Sequence, residues 1–218
     1  MPGPFIHLAV ARELATGKNL DLPQFYFGSI APDAIHAFGN APRPRKVLSH
    51  LLHKDEQMHE SDNVKNREKV IAFLEDHRNS ENMDFFLGYA VHILTDHQWA
   101  MTVYLRFLDA YTRDKEPLLG CDEAFYNDLN GLSYALYKES QWRTDTESAL
   151  ANSTGIDVPG LVTADEVNEW KRRSLIWFVG AEDGIKYPPK YITLSDVRTF
   201  ISESVDQISK ILQRSKLI

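Results

Sequence analysis

The sequence predicts an all-α fold, a single-domain helical bundle around a long central helix that carries metal ligands. Three observations support this. Apolar residues recur at three- and four-residue intervals along most of the chain, the period of a helix with one buried face. The one strand-like run, FYFGSI at 25–30, has no hairpin partner nearby. No internal repeat, low-complexity tract or flexible linker divides the 218 residues.

The elements follow in order. Phe5, Leu8, Ala9, Ala11 and Leu14 outline a first amphipathic helix, ended by Gly17 and an Asn-containing turn. Residues 22–45 carry Gly28, Pro32, Gly39, Pro42 and Pro44 and read as mostly loop. VLSHLLHKDEQMHES starts a helix or helical turn, and Val64, Val70, Ile71, Phe73 and Leu74 mark another to about His77. Asn82 to Tyr111 is a long helical stretch, apolar on all sides in its first half and therefore central. A helix near 122–140 contains Phe125, Leu129, Leu132 and Leu136. TADE at 163–166 has the form of a capping box and opens a helix through Trp170 and Phe178. Residues 184–191 are irregular, and Thr193 with Asp196 opens the last helix.

Composition narrows the function. A formal charge of −7 argues against a surface that coats nucleic acid or adsorbs to membrane, which needs clustered Lys and Arg. The single Cys121 excludes an internal disulfide framework and a Cys-rich zinc site. No transmembrane segment is expected, because no run approaches the ~18 apolar residues of a membrane span. The start, MPGPFIHLAVARELATGK, lacks the pattern of a secretory signal. A cytoplasmic location is the expectation.

The polar residues are unevenly spread. All 8 histidines precede residue 98, and several sit in apolar surroundings, as His7 does in PFIHLAVA. His92 and Asp96, at i and i+4 in GYAVHILTDHQW, share one face of the central helix. A buried carboxylate there needs a charge or hydrogen-bond partner. Neutral imidazoles and carboxylates are zinc ligands, usually about four to an ion. Asp33 follows Ala-Pro, which holds the chain extended before it, and can aim inward from a loop. His50 and His53 lie three apart in SHLLH, so either can supply a further ligand, and His7 one more. Each member alone has an ordinary explanation: a helix hydrogen bond for His92 and Asp96, a turn for Asp33, packing for His7. His36, His59, His77 and His97 read as solvated or locally bonded, and Tyr89 and Trp99 as core aromatics.

The combination of IHL near the start, YFGSIAPDA, KVLSH and GYAVHILTDHQW resembles the zinc-dependent phospholipase C family, which shares its helical fold with the S1/P1-type nucleases. By motif, the resemblance covers about the first 100 residues. It implies that Asp33, His50, His92 and Asp96 hold the principal ion, His50 being preferred to His53 because it ends the Lys-x-x-Ser-His stretch. It places His7 as a ligand of a neighbouring ion that shares Asp96. The family completes its cluster with a processed N-terminal tryptophan and a His-x-x-x-Glu pair. Here the chain begins Met-Pro-Gly and no histidine follows His97, so one ion is implied, with a second through His7 and Asp96.

The expected function is a metal-dependent hydrolase of phosphoric esters, phospholipase C- or phosphodiesterase-like, using zinc or another divalent ion to activate water. Asp33 would be a ligand or the catalytic base that orients the water. Arg43, Arg45 and Lys46 in PRPRK could neutralise a phosphate, or form a solvated basic loop. The acidic composition favours a small phosphate-ester substrate over bulk lipid, and no nucleic acid is expected. Two other classes stand beside this one: a non-catalytic protein with a structural metal staple, and a helical interaction module in which His92 and Asp96 only bond each other. The HD-type phosphohydrolases rely on an adjacent His-Asp pair, whereas this chain has Asp96-His97 in the opposite order.

Overall fold

Helices carry most of the chain in the computed structural model, which describes residues 1–52, 63–180 and 185–215. They are α1 (Pro4–Ala15), α2 (Leu22–Gly28), a 3-10 turn (Ala31–His36), α3 (Arg43–Ser49), α4 (Asn63–Asp76), α5 (Met83–Trp99), a π-helical turn (Ala100–Tyr104), α6 (Leu105–Arg113), α7 (Cys121–Glu139), α8 (Arg143–Ala151), α9 (Ala164–Gly180) and α10 (Leu194–Arg214). No strand forms among the described residues; the one β-type contact is an isolated bridge between Val158 and Val162. No described helix is long and apolar enough to cross a membrane.

The segment 22–45 departs most from its sequence reading. It is mostly helical, and FYFGSI runs through α2 rather than forming a strand. The prolines misled: Pro32 and Pro44 stand in the first turn of an element, where the missing N–H has no intrahelical partner to lose, and Pro42 is the N-cap of α3. Gly28 is not a turn residue either. A Cβ there would stand 2.0 Å from the carbonyl oxygen of Phe85, and one on Gly88 would stand 2.1 Å from that of Phe25. The two glycines let α2 and α5 cross with their backbones in contact.

The other elements differ in detail. The long helical stretch is present, but a π-helical turn at Ala100–Tyr104 divides it into α5 and α6. Helix α8 has no counterpart in the sequence reading; of its nine residues only Thr146 and Leu150 are buried, too sparse a pattern to signal a helix. Helix α3 ends at Ser49, with His50 as its C-cap, and 53–62 lie outside the described residues. Two capping boxes form where the sequence places them, at Thr163/Glu166 and Thr193/Asp196.

Helix α5 is the axis. Fourteen of its residues are buried, among them Phe85, Tyr89, Ile93, Leu94 and Trp99. It packs against α1, α2, α4, α10 and the 3-10 turn. Helix α7 anchors the irregular stretch before α10: the Asp128 carboxylate accepts backbone N–H bonds from Lys190, Tyr191 and Ile192 at 2.6–3.0 Å. Helix α9 packs against the 3-10 turn. These placements bring α1, the 3-10 turn, α3 and α5 together at one point.

Candidate metal centre

Five side chains meet there. His7 comes from α1, Asp33 from the 3-10 turn, His50 from the end of α3, and His92 and Asp96 from α5. Those of His7, His50, His92 and Asp96 are at most 3% exposed, and that of Asp33 is 13% exposed. His53, the alternative to His50, lies outside the described residues.

Asp33 Oδ1 is 3.3 Å from His50 Nε2, and Asp96 Oδ2 is 3.4 Å from the same nitrogen. His92 Nε2 lies 3.9 Å from Asp33 Oδ2 and 3.8 Å from Asp96 Oδ2. Asp96 Oδ1 faces the other way, 3.3 Å from His7 Nε2. Bonds of about 2.0–2.1 Å to a tetrahedral zinc leave roughly 3.3–3.4 Å between neighbouring ligand atoms, so these separations suit ligands of a common ion. They are not hydrogen bonds. Among the described residues, Nε2 of His7, His50 and His92 and both oxygens of Asp96 are buried without a hydrogen-bond partner. Leaving so many buried polar atoms unbonded is costly unless a cation or bound water is their partner.

The outer contacts orient the imidazoles. His92 Nδ1–H donates to the carbonyl of Ser29 at 2.9 Å, so the lone pair sits on Nε2. Ser49 Oγ donates to the Lys46 carbonyl at 3.3 Å and accepts from His50 Nδ1–H at 2.8 Å, again leaving Nε2 free to ligate. The Tyr89 hydroxyl donates to the Ser49 carbonyl at 2.6 Å, fixing the residue before His50 from α5. Among the described residues His7 has no such anchor; its ring stacks on His92, with centroids 3.8 Å apart.

Charge and burial oppose each other here. Burial resists ionisation of Asp96, but His7, His92 and His50 outweigh it and hold its pKa below the usual carboxylate range. Asp33 is likewise held well down, burial being overcome by His50, His92 and Lys46. Burial, with the neighbouring His7, lowers the His92 pKa to about 3 against the pull of Asp96 and Asp33, so this ring stays neutral. Deprotonated carboxylates and a neutral imidazole are the forms that bind metal.

Two groupings can each hold an ion: Asp33, His50 and His92, and His7, His92 and Asp96. Asp96 offers a separate oxygen to each side. Outside the cluster, His36 and His77 are half-buried and locally bonded, to the Ala41 N–H and the Phe73 carbonyl, His97 is buried, and His59 lies outside the described residues. Arg45 is already engaged, donating to Glu166 at 3.1 Å and to the Leu161 carbonyl at 3.3 Å.

Sequence reasoning did not foresee Ser29, Ser49 or Tyr89 as supports. A serine carbonyl used as an acceptor leaves no trace in residue type, and Tyr89 already satisfied the pattern of a core aromatic. Compared with models of protein families, with curated protein sequences and with solved structures, the chain matches none.

Proposed function

We propose that this protein is a divalent-metal-dependent hydrolase of phosphoric esters, with zinc as the ion that the imidazole and carboxylate donors suit best, and that its helices adopt a phospholipase C/P1 nuclease-like fold. The observation that carries the reading is the convergence of five ligand groups, four of them with buried facing atoms that have no hydrogen-bond partner among the described residues, with Asp96 turning one oxygen to His7 and the other to His50 and His92. Asp33, His50, His92 and Asp96 would hold the principal ion, and His7 with the other oxygen of Asp96 a second. The bound ion would supply Lewis acidity, lowering the pKa of water and polarising a phosphoryl oxygen.

The chain's own residues supply the rest. Asp33 is the member of the set with the largest exposure, so water and substrate approach past it. Its depressed pKa keeps it ionised and makes it a weak base, a carboxylate acceptor suited to orienting a water molecule. Ser29, Ser49 and Tyr89 keep His92 and His50 in place without reorganisation.

The burial of the other four ligands favours a second reading, a structural staple closed to substrate. Elemental analysis of wild type beside His92→Ala and Asp96→Ala, followed by a panel of phosphate mono- and diesters, separates the two. The hydrolase reading requires stoichiometric metal in wild type, its loss in both variants, and turnover of at least one ester that stops on chelation. Metal without turnover, with unfolding on chelation, makes the ion a staple. Unchanged metal content in the variants overturns the site.

A further inference from the structure

The rim of the centre carries two donors that the ligand set does not use. We propose that His36 and Lys46 form a grip for the terminal phosphate of a phosphomonoester on the solvent side of Asp33, an inference that rests on the hydrolase reading above.

Their positions follow from helix geometry. In a 3-10 helix residues three apart eclipse one another, so His36 stands directly over Asp33 within Ala31–His36. Lys46 is one α-helical turn before His50, and the His50 N–H donates to the Lys46 carbonyl at 3.0 Å. Residues four apart share a helix face, which puts Lys46 on the side of α3 that presents His50. The 3-10 turn and α3 pack against each other. Lys46 also helps depress the Asp33 pKa, as a cation close to that carboxylate would.

Both groups are prepared and unspent. The Ala41 N–H donates to His36 Nδ1 at 3.2 Å, so the neutral ring carries its proton on Nε2 and presents a directed N–H donor. Arg173 Nη1 donates to the carbonyls of His36 and Ala37 at 2.7 and 2.8 Å, locking the backbone that carries the ring. Burial, opposed by Asp33 and assisted by Lys46, His50 and Arg173, lowers the His36 pKa and keeps the ring neutral near pH 7. Among the described residues, His36 Nε2 has no hydrogen-bond partner and Lys46 lies within ion-pair distance of no carboxylate; Arg45, by contrast, is paired with Glu166.

One mobile cation and one fixed neutral donor beside a metal centre suit a doubly charged terminal phosphate. A diester offers fewer free oxygens and less charge. Lys46 would neutralise a non-bridging oxygen, while His36 Nε2–H would fix the orientation of another.

Calorimetric titration of the zinc-loaded protein with inorganic phosphate and with dimethyl phosphate tests this without any assay of turnover. Zinc content is measured on every sample. Inorganic phosphate should bind at least tenfold more tightly than dimethyl phosphate. Lys46→Met should weaken phosphate binding about tenfold and Lys46→Arg should restore most of it, as expected for loss of a charge-assisted hydrogen bond. His36→Asn, whose side-chain oxygen can still accept from Ala41, should weaken it several-fold. Lys210→Met, on α10, controls for loss of overall charge. Full zinc content with phosphate affinity unchanged in Lys46→Met and His36→Asn overturns the grip while leaving the metal site intact. Equal affinity for the two phosphates overturns the monoester class. Wild type that takes up no zinc overturns the metal reading, and the grip with it.

Discussion

Replacing Gly88 with Ala should damage both the fold and the centre, although Ala is the better helix former. The new Cβ would stand 2.1 Å from the Phe25 carbonyl oxygen and 2.9 Å from the Ser29 nitrogen, both backbone atoms. Contact at van der Waals distance requires α2 and α5 to separate by about 1 Å or more. Overpacking typically costs about 1–3 kcal/mol, and backbone against backbone belongs at the upper end because no side chain can rotate away. The gain in helix propensity returns about 1 kcal/mol. A net loss of roughly 2 kcal/mol lowers Tm by about 4–8 °C for a chain of this length. Urea and thermal unfolding followed by circular dichroism give both numbers. Gly28→Ala attacks the same crossing from the other helix, so the double variant should lose less than the sum of the two. Because Ser29 holds His92 and lies beside Gly28, zinc affinity should fall along with stability. A Gly88→Ala protein as stable as wild type, with wild-type zinc affinity, would refute the close crossing.

Asp96→Asn should abolish zinc uptake and lower Tm in chelator, because it discards the attraction of three imidazoles that holds the folded carboxylate ionised; an unchanged or higher Tm in chelator would contradict this. Tyr89→Phe strips the Ser49 carbonyl of its donor, for an expected loss of about 1–2 kcal/mol and weaker zinc binding; unchanged values in both would show that the contact does not position His50. Arg173→Met frees the turn that carries Asp33 and should lower zinc affinity with little change in helicity, read by zinc competition with a chromophoric chelator. In metal-free protein the folded His92 pKa is about 3 against 6.5 for the ordinary group, so the unfolded chain gains a proton first as pH falls from 6.5. Stability should then drop by up to about 1.4 kcal/mol per pH unit toward pH 3, with Asp33 and Asp96 adding the same sign only below about pH 4. Denaturant midpoints that rise on acidification from pH 6.5 to 4.5 would have the wrong sign.

The helical class was legible because the core is apolar at helical spacing: Phe5 to Leu14, Val70 to Leu74 and Val197 to Leu212 are buried as their periods require. The region 22–45 was illegible for a definite reason. Pro and Gly punctuate a sequence in the same way whether they end a helix or begin one, and whether a glycine makes a turn or admits a neighbouring backbone. Pro32 and Pro44 begin elements, and Gly28 admits Phe85, so the usual reading inverted. The candidate ligands were legible because His and Asp are conspicuous among apolar neighbours. Their supports were not. Ser29 acts through a carbonyl, Ser49 through a hydroxyl between two groups, and Arg173 reaches the 3-10 turn from 137 positions away in the chain. No local pattern reports a contact made at that separation.

On the proposed reading, the placement of the centre would tie stability to metal. Its ligands come from four elements, and among the described residues no ligand nitrogen or Asp96 oxygen facing inward finds a hydrogen-bond partner in the protein. Such a cluster has unfavourable terms on both sides: protonating the carboxylates discards the pull of three imidazoles, and leaving them ionised keeps buried charge without alignment. A divalent cation would resolve both, and its occupancy would then add directly to folding free energy, by about 4 kcal/mol when free metal is a thousandfold above Kd. The apolar faces of α1, α2 and α5 bring the ligands together, and the Gly28–Gly88 crossing sets how near. The same packing that makes the helices a bundle therefore determines the separation of Asp33 from His50 and of Asp96 from His7, and a change in one must appear in the other.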